Sequence, residues 1–274
     1  MLFRSFFIGV LGLYIAVAAV PTSAQPSASP KLPFEVGETL TYEGKLSKVI
    51  QGISVAEMTF TVKERSPEGQ FRIRADARSK GTLVRLFGFS FLQTFDSTML
   101  ASDLRALKTV KHDVQRKRIR NSEAIFDYSD RRVVYTETDP DDPMRPPRMI
   151  ASELNGGTYD IVSGIYHLRT LPLAVGKTFE IPVSDSGLVY KVPVRVTGRD
   201  RQKTEIGRIW CYRVEPMVFG DGRMLERKGS MIIWISDDER RIPVRSQVKT
   251  SFGKIEIKIQ SVAGNGKTSN VAKN

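Results

Sequence analysis

The feature that most constrains this chain is a hydrophobic alternation of period two that recurs along most of its length. Leu40, Tyr42 and Leu46 alternate with polar neighbours, and Ala56, Met58, Phe60 and Val62 do the same. Phe71, Ile73, Ala75 and Ala77 are interleaved with Arg72, Arg74, Asp76 and Arg78. In an extended chain such spacing sends one set of side chains to a core and the other to water, as in antiparallel strands half-covered by a second layer. The pattern returns at Ala124, Phe126 and Tyr128, at Val192, Val194 and Val196, at Trp210, Tyr212 and Val214, at Ile233 and Ile235, and at Ile255, Ile257 and Ile259. Turn-forming residues such as Ser66-Pro67-Glu68-Gly69, Asp185-Ser186-Gly187 and Ser236-Asp237-Asp238 separate the runs. The expected fold is all-β and mainly antiparallel: a curved sheet, a half-barrel, or a sandwich of two β-rich halves.

Two stretches leave this period. Between residues 159 and 171, Ile161, Ile165 and Leu168 recur at helical spacing behind Thr158, a candidate N-cap, which predicts one short helix. Gly81 to Phe91 carries Leu83, Leu86, Phe87, Phe89 and Phe91 interrupted by glycines, the composition of an apolar flap. Pro140, Pro143, Pro146 and Pro147 forbid regular pairing and mark a loop that, with the helix, divides the domain into halves at about 34–138 and 172–262.

At the N-terminus Arg4 precedes the uncharged apolar run from Phe6 to Val20, and Thr22-Ser23-Ala24 supplies small residues for cleavage. This is the build of a secretory signal over residues 1–24, and it implies export to the periplasm or beyond. No cysteine follows the run to carry a lipid, and the single Cys211 allows no intramolecular disulfide. Residues 25–33 read as a proline-containing tether, 34–262 as one β-rich domain, and 263–274 as a polar tail. Loss of residues 1–24 removes one positive charge, Arg4, so the formal net charge of +12 becomes +11. In an envelope compartment such a charge fits anionic lipid headgroups and wall polymers, with peripheral membrane contact, rather than nucleic acid. It also serves solubility and the protection of edge strands.

Three separated stretches carry a resemblance: Pro33-Phe34-Glu35-Val36-Gly37-Glu38-Thr39-Leu40-Thr41-Tyr42, then Tyr166-His167-Leu168-Arg169-Thr170-Leu171-Pro172-Leu173, then Ile233-Trp234-Ile235-Ser236-Asp237-Asp238-Glu239-Arg240-Arg241-Ile242-Pro243-Val244. Together they resemble an exported bacterial family known as domain of unknown function 3108. The resemblance implies an exported, β-rich protein without an assigned activity, and its architecture is similar to that of half-barrel lipoprotein carriers. Turn and helix-stop chemistry accounts for much of each stretch: Gly37 permits a tight strand entry, Pro172 ends the helix, and Asp237 and Asp238 suit a hairpin turn. Arg169 stands apart as a charge among apolar residues. It either complements the helix C-terminus or sits in a cavity facing an anionic ligand.

Little in the chain points to catalysis. His112 and His167 are the only histidines and are far apart, which disfavours a histidine zinc site, and the commonest metalloprotease, hydrolase and dinucleotide motifs are absent. Asp139, Asp141 and Asp142 lack the glutamate that completes a calcium loop. Lys108 to Arg120 is the strongest basic cluster, with His112, Arg116, Arg118 and Arg120 on one strand face and Lys111 and Lys117 on the other, and basic residues on both faces suggest an exposed or protruding hairpin. No catalytic, cofactor or metal residue is assigned. Two functions remain open: a carrier module holding a lipid or other hydrophobic ligand, with Phe87, Phe89, Phe91 and Arg169 as its candidate ligand-binding residues, or an envelope interaction protein with a basic β surface.

Overall fold

A computed structural model describes residues 32–264 apart from 48–51, 82–84, 86–87 and 251–252. The signal segment 1–24, most of the tether and residues 265–274 lie outside the described residues, as do Leu83, Leu86 and Phe87 of the expected flap.

Eight strands come first: β1 (Thr39–Ser47), β2 (Ile53–Arg65), β3 (Gln70–Ser79), β4 (Phe91–Leu100), β5 (Ala106–Gln115), β6 (Arg118–Asp127), β7 (Arg132–Thr138) and β8 (Arg148–Glu153). A single described helix of regular length, α1 (Ile161–Thr170), leads to β9 (Thr178–Asp185), β10 (Leu188–Thr204), β11 (Gly207–Pro216), β12 (Gly229–Ser236), β13 (Pro243–Thr250) and β14 (Gly253–Ala263). All fourteen strands form one curved antiparallel sheet in the order β8-β7-β6-β5-β4-β3-β2-β1-β14-β13-β12-β11-β10-β9. Each half is a meander, and the first and last strands pair at the centre, Leu40 opposite Val262 and Gly44 opposite Ile257. The proline loop closes the β7–β8 hairpin, so the division between halves falls later than its composition indicates, at the segment that carries α1.

The sheet is not closed by a strand ladder between β8 and β9. A short segment spans the seam instead: Ala106 N donates to Thr158 O at 2.9 Å, Tyr159 N to Pro182 O at 2.9 Å, and Ser184 N to Tyr159 O at 2.7 Å. The β9–β10 turn backs onto the same seam. Ser186 (φ 50°) and Gly187 (φ 83°) form a two-residue turn with both residues left-handed, the conformation that matches strand twist in tight hairpins. A Cβ on Gly187 would lie 2.6 Å from Tyr135 Cβ and 3.0 Å from Ile150 O, so close approach as well as φ requires glycine there.

The helix α1 packs on the concave face. Val162, Tyr166 and Leu168 pack with Phe34, Phe71, Ile73 and Met99 from one half and Val194, Val214 and Ile235 from the other. Helix entry is fixed by Asp160, not Thr158: the Asp160 carboxylate accepts from Ser163 N at 2.7 Å, and Asp160 N donates to Ser163 Oγ at 2.9 Å. This reciprocal capping box outcompetes Thr158, which is spent on the seam. The helix ends at Leu171, held extended (ψ 145°) by the following proline. Its buried residues are Val162, Ser163, Tyr166, Leu168 and Arg169, so of the expected stripe Leu168 is buried, Ile165 half-buried and Ile161 exposed.

Two other expectations change. The Lys108–Arg120 cluster is a hairpin, as its basic residues on both faces suggest, but its faces change, because Arg116 (φ 56°) and Lys117 make the β5–β6 turn. Register across that turn places Arg120 opposite Asp113 and His112 opposite Asn121, so Arg120 shares a face with Lys111 and not with His112. In β11, Val214 is fully buried but Trp210 is 42% exposed. The strand pair β10–β11 passes an irregularity between Val196 and Gly198 and continues beyond the concave core, where the buried position is Cys211.

Candidate functional site

The concave face is not filled everywhere. Strand register sets Phe60 beside Leu40, Met58 beside Tyr42, and Ile257 beside Ser246, with Ile233 next to Ser246 on the following strand. These residues form a continuous apolar wall under α1, and between wall and helix lies a cavity of about 190 Å³. The helix contributes Ile165, Tyr166, Leu168 and Arg169; Met231, Pro243 and Arg245 complete the lining. The stripe anticipated from periodicity therefore has a use. Ile165 and Leu168 face this cavity, and Ile161 lines a second one of about 40 Å³ at the seam, beside Phe95 and Thr109.

The volume sets what can enter. A cavity of roughly 150 Å³ lined by aliphatic and aromatic side chains stays dry and admits a benzene-sized molecule. At about 190 Å³ the cavity takes one apolar chain segment rather than a whole drug-sized ligand. Met58, Phe60, Ile165, Met231 and Ile257 are only half-buried and form the outer part of the lining. Methionine at two of these positions gives an entrance that adapts to the shape of an occupant.

Polar atoms cluster around this apolar volume. Tyr166 Oη, Ser246 Oγ, Arg169 Nε and Arg245 Nε are all buried without a hydrogen-bond partner, and all four residues line the cavity. Burial pushes the Tyr166 hydroxyl far above its ordinary value, and although Arg169 is near enough to oppose that shift, no bond of normal geometry joins them. Tyr42 is raised in the same way by burial. Both phenols are neutral hydrogen-bonding groups at any physiological pH.

Arg169 is the best-tied residue in the site. Its side chain is fully buried; Nη1 donates to Glu38 Oε1 at 2.6 Å, and Nη2 to Glu38 Oε2 at 2.8 Å, Pro33 O at 2.9 Å and Arg240 O at 2.9 Å. Burial works against its charge, but the bonds and charge of Glu38 outweigh that and hold the guanidinium protonated. Pro33 and Glu38, Arg169, and Arg240 come from the three separated sequence stretches noted above, so those stretches meet at one guanidinium. With Glu38 neutralising Arg169 and Glu256 paired to Arg245, both cations at the cavity already have carboxylate partners.

Of the four ligand-binding residues expected from the sequence, Arg169 lines the cavity and Phe87 lies outside the described residues. Phe89 and Phe91 sit together at the start of β4, ring centroids 6.2 Å apart, with Arg116 5.5 Å from the Phe89 ring, and line none of the cavities described here. The residues that sequence reasoning missed are Tyr166, Ser246, Met58 and Met231. Met58 is marked only by an alternating run and Tyr166 only by the helical stretch that carries the family resemblance, and neither signal distinguishes a cavity wall from a packed one. Among the described residues no group of three or more His, Cys, Asp or Glu could hold a metal ion.

The family model for the protein of unknown function DUF3108 matches residues 39–260. The chain belongs to the DUF3108 family. Among curated proteins none matches it. Of solved structures, the β-barrel-like DUF1849 protein from Brucella abortus is similar in fold, with a TM-score of 0.56 at 12% identity over 85% of this chain and 99% of that one. A protein of YmcC-like fold from Bacteroides fragilis, provisionally described as exported, aligns with a TM-score of 0.32 at 10% identity over 85% of this chain and 98% of that one. The first likeness shows a shared fold with a protein described as β-barrel-like.

Proposed function

We propose that this DUF3108 protein is a non-catalytic binding module of the cell envelope that accommodates one acyl-type chain, bearing a neutral oxygen group, in the cavity beneath α1. The observation that carries this reading is the coincidence of an apolar cavity of about 190 Å³ with four lining residues that each hold a buried polar atom without a hydrogen-bond partner. A buried donor or acceptor without a partner costs about 1–3 kcal/mol, and an ester, amide or hydroxyl oxygen at the end of an apolar chain recovers part of that cost. A free carboxylate is the poorer match, because Glu38 and Glu256 already balance the two arginines. The signal-like residues 1–24 support an envelope location for this work.

Displacement of a fluorescent acyl probe by monododecanoyl glycerol tests the reading. Saturable displacement is expected for the native protein and should be lost in Ile165→Trp, which fills the cavity from a half-buried helical position. Probe binding that survives Ile165→Trp unchanged would place the ligand elsewhere.

A further inference from the structure

Beyond the irregularity after Val196, the two sides of the β10–β11 hairpin differ sharply. Register pairs Asp200 with Cys211 and Gln202 with Ile209 on one side. Gln202 and Cys211 on that side are buried and Asp200 is exposed; Arg245 Nη1 donates to Gln202 Oε1 at 2.7 Å, and Trp234 Nε1 donates to Asp200 Oδ2 at 3.4 Å. The other side pairs Arg199 with Tyr212, Arg201 with Trp210, and Lys203 with Arg208. All four cations are exposed, and Trp210 is exposed to 42%. The Arg199 and Arg201 guanidinium carbons lie 4.5 and 5.1 Å from the centre of the Trp210 ring. Among the described residues only Arg199 of these cations has a carboxylate partner, Asp237 at 2.7 Å; Arg201, Lys203 and Arg208 have none.

From this arrangement we propose that the outward side of the β10–β11 hairpin is a docking surface for an anionic lipid bilayer. Charge complementarity requires an anionic partner: three cations without a carboxylate partner among the described residues follow one another along one side of a hairpin, Arg201 and Arg208 away from any cavity and Lys203 at the rim of one lined also by Glu43, Glu205 and Glu256. The exposed indole selects lipid over other polyanions. Tryptophan is amphipathic and settles at the headgroup level of membranes, and its flanking guanidiniums place cations at the phosphate level on either side. The opposite side of the hairpin, bonded through Gln202 and Asp200, keeps this surface rigid, so little conformational entropy is lost on docking.

The test uses the chain from Gln25 onward, which keeps the whole compact unit Lys31–Asn274 and omits an apolar run that would partition into lipid by itself. Co-sedimentation is measured with vesicles of phosphatidylcholine alone and of phosphatidylcholine with phosphatidylglycerol. Each basic residue at an anionic surface strengthens binding about fivefold, so the triple substitution of Arg201, Lys203 and Arg208 by glutamine should weaken binding roughly 100-fold. Its thermal midpoint should stay unchanged, because none of the three makes an ion pair among the described residues. Of the two tryptophans only Trp210 is exposed, so a blue shift of emission on phosphatidylglycerol vesicles reports its insertion and should be missing in Trp210→Phe. Equal binding to neutral vesicles, full binding by the triple variant, or binding with no emission change and equal affinity for soluble polyphosphate would each overturn the proposal.

Discussion

Replacing Arg169 by methionine keeps an unbranched stem of similar reach but removes the guanidinium that joins three distant stretches of the chain. Four hydrogen bonds disappear, two of them to Glu38, which is 7% exposed. Breaking a buried ion pair from one side leaves an uncompensated charge, and the usual cost is about 3–5 kcal/mol. For a domain of this size that corresponds to a fall in Tm of roughly 6–20 °C. Urea denaturation followed by tryptophan emission gives the loss directly, with an unchanged slope expected because the surface exposed on unfolding is the same. The companion experiment replaces Glu38 as well. Removing both charges eliminates the stranded carboxylate, so Arg169→Met with Glu38→Met should be more stable than Arg169→Met alone, though below the native protein because the carbonyls of Pro33 and Arg240 stay unpaired. A single-mutant loss under about 1 kcal/mol, or a double mutant equal to the sum of the singles, would refute the assignment of Arg169 as a charge-paired clasp.

Gly187→Ala should destabilise by about 2 kcal/mol or more, since its Cβ meets Tyr135 and Ile150, while Gly69→Ala, equally left-handed but with open space around it, should cost only about 1 kcal/mol; chemical denaturation of the pair separates packing from backbone strain. The hydrogen bond from Lys80, then that from Ser54, lowers the Glu43 carboxyl from its ordinary 4.5 to about 2. Its stabilising contribution is therefore complete above pH 4.5 and is lost as pH falls towards 2, so Glu43→Gln should flatten the fall in urea midpoint across that window, and an unchanged acid limb would contradict the pairing.

Most of the strands are legible in the sequence because each needs only local alternation. In β3, Phe71, Ile73 and Ala75 are buried and Arg72 is exposed, as period two demands. What alternation does not encode is which strand lies beside which: the central pairing of β1 with β14, and the seam that Thr158 and Tyr159 span, are non-local. Errors arise where parity is reset without a visible sign. Arg116 and Lys117 carry no turn-type residue to mark where the hairpin reverses, and the turn they form moves every following side chain to the other face relative to an unbroken alternation. Trp210 follows Val214 in period but lies past the end of the core, so its exposure is a matter of strand length. In the site, Arg169 is conspicuous as a charge within an apolar helix end, whereas its partner Glu38 looks like any surface glutamate in a strand entry. The cavity itself is a property of how far α1 stands from the sheet, and no residue pattern records that distance.

The central claim is that an acyl chain occupies the space between α1 and strands β1, β2 and β12 to β14. Methyl-labelled methionine NMR tests it at the site itself, because Met58 and Met231 line the cavity while Met144 and Met149 are exposed elsewhere. Titration with monododecanoyl glycerol should shift the Met58 and Met231 methyl signals saturably and together, and leave those of Met144 and Met149 in place. Unmoved Met58 and Met231 signals at saturating ligand, or shifts of equal size at all four methyls, would contradict it.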